Sequence, residues 1–302
     1  MADHRSRQWY AGEDLRNNYL HRAWMRRGVP DHAFDGRPQI AIANTASDLT
    51  PCNAHLDEVA TSVKQGVYEA GGTPLNMPVM SLGETQMRPT AMLFRNLAAM
   101  EIEEILRANP VDGVVLLGGC DKTIPALLMA VASVDVPAVV MPGGPMITGH
   151  FRGAPMGCGT DVWRFVDDVR AKLMTDDDLR QSESAMIRSK GHCNTMGTAS
   201  TMAVMAEALG MTIPGVAGTR LRTAGSSSMR TRRVGWRWRW CTPGAGPATS
   251  SPRRHSTTPS SRSRRRGGPR TPWSTCWPSP GASASTCGWR TSTASAPGCR
   301  CC

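Results

Sequence analysis

Apolar residues along the chain fall into short unbroken runs separated by longer stretches of helical spacing. The runs are Gln39-Ile40-Ala41-Ile42-Ala43, Leu75 to Met80 with Pro78 inside it, Val114-Val115-Leu116-Leu117, and Ala138 to Met141. Each predicts a short strand, and the unbroken run at Val114 to Leu117 predicts one buried on both faces. After the first run, Thr50 is a good helix cap and Pro51 a good first helical residue, and Leu56, Val59, Ala60, Val63 and Val67 then recur at helical spacing. That reading puts Cys52 in a first helical turn, where the helix dipole favours a thiolate. Further helices are expected from about Pro89 to Arg107, Thr123 to Ala132, Asp161 to Leu173, Asp176 to Ser189, and Thr198 to Leu209 with Gly210 as its stop. Between Thr148 and Thr160 the pattern loosens. Over residues 1–218 the alternation is that of an α/β fold, a parallel sheet with helices on both faces.

Charge divides the chain where the pattern ends. The 302 residues carry a formal charge of +11. From Leu221 to Cys302 there are 15 Arg and no Lys, Asp or Glu, so the preceding 20 Lys and Arg face all 24 Asp and Glu. The basic character therefore belongs to an Arg/Ser/Pro-rich tail, which has too few aliphatic residues to bury a core and is expected to be disordered. Three segments follow: an N-terminal arm at 1–36, polar and basic, which could pack on the domain or reach a partner subunit but is expected to be solvated, an α/β domain at 37–218, and the tail at 219–302. No apolar run approaches the ~18 residues of a membrane span, and Met1 to Pro30 lacks the apolar core of a signal peptide. A reducing cytoplasm is the expected setting, where widely spaced cysteines bind metals, catalyse, or are simply buried.

Candidate chemistry concentrates at strand ends. Gly118-Gly119-Cys120-Asp121-Lys122 joins the third strand to its helix, which is the edge of an α/β sheet where ligands bind. Cys52 and Cys193 lie in similar settings, 68 residues before and 73 after Cys120. Two readings stand side by side. Three thiolates can hold an iron-sulfur cluster and leave one iron open to a hydroxyl; equally, the three can be independent buried thiols. Glu84, after Gly83 at a strand end, and Asp121 add hard oxygen donors suited to magnesium, or else a surface acid and a turn acid. His192 reads as a hydrogen-bonding loop histidine and Cys158 as a structural thiol.

Longer motifs point further. Thr50-Pro51-Cys52-Asn53, Met87-Arg88-Pro89-Thr90, Gly119-Cys120-Asp121-Lys122-Thr123, Gly143-Gly144-Pro145-Met146 and the run from Gly191-His192-Cys193-Asn194-Thr195-Met196-Gly197 to Met202 resemble the dihydroxy-acid and sugar-acid dehydratases, over about Arg5 to Gly218. The resemblance implies a [2Fe-2S] cluster on Cys52, Cys120 and Cys193. It further implies Mg2+ near Glu84 and Asp121, with Lys122 as a carbamate ligand, and substrate contacts from Arg88 and Thr90. Ser81-Leu82-Gly83-Glu84 and Gly118-Gly119-Cys120 look more like the sugar-acid branch, acting on a pentonate such as arabinonate. The activity implied is that of a hydro-lyase, eliminating water from a 2,3-dihydroxy acid to give a 2-keto-3-deoxy acid, in a homo-oligomer.

The tail departs from that family. Its serine base and a further metal-binding acid belong to a C-terminal domain, and nothing after Gly218 resembles one, so a half site is expected here. Arg, Pro, Gly, Ser, Thr, Ala, Cys and Trp without acids or Lys is the residue set of GC-rich coding sequence read in a wrong frame, which predicts a frame change near Thr219. The alternative is a nucleic-acid-binding segment, in which the rings of Trp236-Arg237-Trp238-Arg239-Trp240 stack on bases and Arg262 to Arg270 meet phosphates. The wrong-frame reading is favoured here over that alternative.

Overall fold

A computed structural model of the chain describes residues 4–219. The expectations for the tail lie outside the described residues. The four apolar runs form one sheet of parallel strands, β1 (Gln39–Asn44), β2 (Thr73–Pro78), β3 (Gly113–Gly118) and β4 (Ala138–Pro142), in the order β2-β1-β3-β4. β1 and β3 are buried along their whole length, as unbroken apolar runs require.

Because side chains alternate along a strand, the two central strands serve two cores. Ile40, Ile42, Val115 and Leu117 pack against Leu56, Val59, Val63 and Val67 of α3 (Leu56–Glu69). Ala41, Ala43, Val114 and Leu116 face the other way, toward Ile102 and Leu106 of α4 (Arg95–Ala108), Ile124 and Leu127 of α5 (Thr123–Val134), and Ala203 and Ala206 of α8 (Thr198–Ala208). The small β1 side chains on that face leave room for α4, α5 and α8. Each fully buried Leu, Ile or Val stabilises the domain by roughly 1.5–3 kcal/mol, so the sheet is a rigid platform for whatever its ends carry. The fold is therefore α/β with helices on both faces, as the hydrophobic pattern predicts.

Three expectations are corrected. The arm is not simply solvated: Ser6 donates its N–H and hydroxyl to Asp112 at 2.8 and 2.6 Å, Arg5 bonds the carbonyls of Leu106 and Arg107, and Tyr10 of α1 (Arg7–Ala11) is buried. α2 (Leu15–Met25) keeps a mostly exposed surface, with Leu15, Tyr19 and Trp24 facing out. The loosened stretch contains a hairpin, β5 (Gly149–Phe151) with β6 (Ala154–Met156), too short for periodicity to reveal. It packs with α6 (Val162–Arg170) and α7 (Asp176–Met186) around Met156, Phe165 and Met174.

The third correction concerns Cys52. The helix after β1 starts at Leu56, and Pro51 to His55 form turns instead, with Asn53 N–H bonded to the Thr50 carbonyl at 2.7 Å. Thr50 and Pro51 look like a helix start, but the buried Asn53 side chain bonds to two other segments and holds this stretch off the helical path. Cys52 therefore receives no stabilisation from a helical first turn.

Candidate active site

All four parallel strands deliver residues to one place at their carboxyl ends. The segment after β1 carries Cys52, the segment after β2 carries Glu84, and β3 runs directly into Gly119-Cys120-Asp121-Lys122. The loop after β4 receives the fourth contribution from a distance: His192 N–H donates to the Gly144 carbonyl at 2.9 Å, and Met146 N–H donates to the His192 carbonyl at 2.9 Å. This bridge fixes Cys193 beside the strand ends. Cys52, Glu84, Cys120, Asp121 and Cys193 line one cavity of about 350 Å³, together with Thr85, Thr160, Thr195 and Thr198.

The four described thiols are all free and fall into two pairs. The Cys52 and Cys120 side chains influence each other, and the Cys193 backbone acts on the Cys52 sulfur. The Cys52 thiol is pushed up by the Cys120 side chain and by burial. Cys120 is drawn below its ordinary value by the Cys52 thiol, against burial and with help from the Glu84 backbone N–H. In the second pair, the neighbouring Cys193 thiol and the backbone around Thr195 and Asn194 lower Cys158 to about 5 against burial, while Cys193 is raised. Sequence spacing alone gave no reason to place Cys158 here. The signal that could have found it is Gly157-Cys158-Gly159 itself, a thiol flanked by glycines next to a hydroxyl-rich stretch.

The hard donors are joined by Lys122. Its ammonium donates to Asp121 Oδ2 at 2.6 Å and lies 3.6 Å from Glu84 Oε2. Thr198, the first residue of α8, also donates to Asp121 Oδ2 at 2.9 Å, and the Cys120 thiol bonds Oδ1 at 3.3 Å. Burial works to raise the Asp121 pKa, but these donors outweigh it and hold the carboxyl below its usual range. Burial likewise pulls Lys122 down, and its bond and attraction to Asp121 and Glu84 raise it overall. The ammonium thus sits where a divalent cation would neutralise the same two carboxylates.

Not every expected residue reaches the cavity. Arg88 is exposed and donates to the carbonyls of Glu84, Thr85 and Met87, and Thr90 caps the following turn by accepting from Met92 N–H at 3.2 Å. Neither lines the cavity. His192 is fully buried and donates Nδ1–H to the Cys193 carbonyl at 2.9 Å, which makes it a loop histidine rather than a ligand.

The donor set fits the groups that the resemblance implies. Among the described residues no three His, Cys, Asp or Glu side chains converge tightly enough to hold a single ion. A two-iron cluster would be held by Cys thiolates, and Cys52, Cys120 and Cys193 are the three thiols on the cavity. Three thiols on one cavity wall suit it, and two carboxylates sharing one cation suit magnesium.

A parallel sheet whose carboxyl ends gather thiols and carboxylates into one cavity has the architecture in which α/β proteins bind ligands. The chain belongs to the dihydroxy-acid/6-phosphogluconate dehydratase N-terminal family, which matches residues 37–237. It is 55% identical over 211 residues to an L-arabonate dehydratase of Azospirillum brasilense and 52% identical over 212 residues to an L-arabinonate dehydratase of Rhizobium leguminosarum. In each case the match covers 70% of this chain and 36% of the relative. Identity to a dihydroxy-acid dehydratase of Methanothermobacter thermautotrophicus is 37% over 220 residues, 71% of this chain and 39% of the relative. The chain thus spans little more than a third of the length of these curated relatives. Among the described residues no helix is long and apolar enough to cross a membrane.

Proposed function

We propose that this chain carries the metal-binding half of a hydro-lyase acting on a sugar acid, an aldonate of the arabinonate type, and releasing a 2-keto-3-deoxy acid. The observation that carries the reading is the meeting of Cys52, Cys120, Cys193, Glu84 and Asp121 on one cavity at the ends of parallel strands. Higher identity to arabinonate dehydratases than to a dihydroxy-acid dehydratase supports the substrate class.

In this reading Cys52, Cys120 and Cys193 hold a [2Fe-2S] cluster, and Glu84, Asp121 and a carbamylated Lys122 hold Mg2+. When bound, the two groups supply Lewis acidity toward the hydroxyl that leaves and toward the carboxylate end of the substrate. The chain's own residues orient the acid. Thr85, Thr160, Thr195 and Thr198 offer hydroxyls to a polyhydroxy chain. Thr198 holds Asp121 in place through its 2.9 Å bond. The proton at C2 must be taken by a base, and the family's serine lies in a region this chain does not match. Free thiols and this chemistry both suit a reducing cytoplasm.

The test is turnover of L-arabinonate by anaerobically reconstituted protein, followed as 2-keto-acid formation, beside a chain extended in the alternative reading frame past Thr219. Product from the extended chain is the expected result. No family-like continuation in either other frame contradicts the frame-change reading, and no product from any continuous form contradicts the substrate class. The nucleic-acid reading of the Trp/Arg segments fails if the tail shows no salt-dependent RNA binding.

A further inference from the structure

Asn53 has no solvent exposure, and its carboxamide is shared between two other strand ends. Its Oδ1 accepts the Gly119 N–H at 2.8 Å, and its Nδ2 donates to Ser81 Oγ at 2.9 Å. Its backbone closes the turn that presents Cys52, accepting from Leu56 N–H at 2.9 Å and donating to Thr50 O at 2.7 Å. One side chain therefore ties together the segment with Cys52, the segment that leads through Ser81 to Glu84, and the segment with Cys120. The fit has no slack. A Cβ at Gly119 would stand 3.0 Å from Asn53 Oδ1 and 2.6 Å from the Cys52 carbonyl oxygen, so these backbones touch where the two thiols are set side by side.

We propose that Asn53 is the positioning residue of this site: its two side-chain hydrogen bonds set the spacing of Cys52, Cys120 and Glu84. The inference rests on the cluster reading above and deepens it. A carboxamide suits the task because it accepts on one side and donates on the other without bringing a charge into a buried place. The bond to Gly119 is buried on both sides, so losing the amide leaves that N–H unpaired and frees the Cys120 loop from the Cys52 turn. Asn53 touches neither substrate nor metal in this account. It acts through the residues that do.

The experiment compares Asn53→Ala, Ser81→Ala and a core control, Val63→Ala, in the full chain after anaerobic reconstitution. Val63 packs in α3 away from the cavity. The measurements are the visible circular dichroism of the bound cluster, the rate of iron release to a chelator such as bathophenanthroline, and the unfolding temperature of the metal-free protein. Asn53→Ala should release iron at least tenfold faster than wild type with an altered dichroism spectrum, Ser81→Ala a few-fold faster, and Val63→Ala at the wild-type rate despite its lower unfolding temperature. Release and spectrum unchanged in Asn53→Ala, or changed equally in Val63→Ala, would overturn the inference. If Asn53→Ala does not fold, Ser81→Ala decides in the same way. A wild-type chain that takes up neither iron nor sulfide sinks the cluster reading and the inference with it.

Discussion

Cys52 with Cys120 and Cys158 with Cys193 are both thiol pairs, but they are built differently. The first pair stands on the ends of β1 and β3, whose side chains fill both cores, and its loops are locked by Asn53. The second pair stands on connections outside the sheet, with Cys158 after the β5-β6 hairpin and Cys193 stitched to the loop after β4 by two backbone bonds. Cys158 is held by Asn194, whose Oδ1 accepts its N–H at 3.0 Å. The difference shows how such a site is assembled. In the proposed site the sheet holds two of the three thiols and the acids beside them, and a longer connection brings in the third.

The comparison breaks first on the second pair itself. If Cys193 is a ligand and Cys158 only its hydrogen-bonding neighbour, Cys193→Ser should lose most bound iron and sulfide, while Cys158→Ser keeps the wild-type amount. Equal losses from both would make the pair a single unit and remove the distinction drawn here.

Next in size is a pair of glycines. Gly119→Ala places a methyl 2.6 Å from the Cys52 carbonyl, and we expect a loss of about 1–3 kcal/mol in urea unfolding, together with poor cluster uptake. Gly159→Ala, at the rim near Cys158, meets nothing within 4 Å and should stay within about 0.5 kcal/mol of wild type. A Gly119 variant as stable as the Gly159 variant would show that the strand-end region is not the rigid one.

The hydrophobic runs made the central strands and both cores legible because β1 and β3, buried along their whole length, leave no polar alternation to confuse. Gly118 to Lys122 was legible as a strand-to-helix junction for the same reason: β3 ends at Gly118 and α5 begins at Thr123. The Cys52 turn was not, because Thr50 and Pro51 carry the local signals of a helix start while Asn53 bonds to residues far along the chain. Long-range side-chain bonds leave no trace in periodicity. The same limit hid the contact between Cys158 and Cys193, and the docking of Ser6 on Asp112.

A smaller effect sharpens the acid side of the site. Thr198→Val removes one of the donors to Asp121 and should cost about 1 kcal/mol in urea unfolding of the metal-free chain, as one hydrogen bond to a partly buried carboxylate does. Thr201, one turn along α8, bonds only the Gly197 carbonyl of its own helix start, so Thr201→Val should cost less.

The central claim is that Cys52, Cys120 and Cys193 hold one iron-sulfur cluster. The most direct measurement is iron and acid-labile sulfide in anaerobically reconstituted wild-type protein, with Cys120→Ser alongside. Equal amounts of iron and sulfide in the wild type, with both lost in Cys120→Ser, are the expected result. Wild-type protein without sulfide, or a Cys120→Ser variant that keeps both, would contradict it.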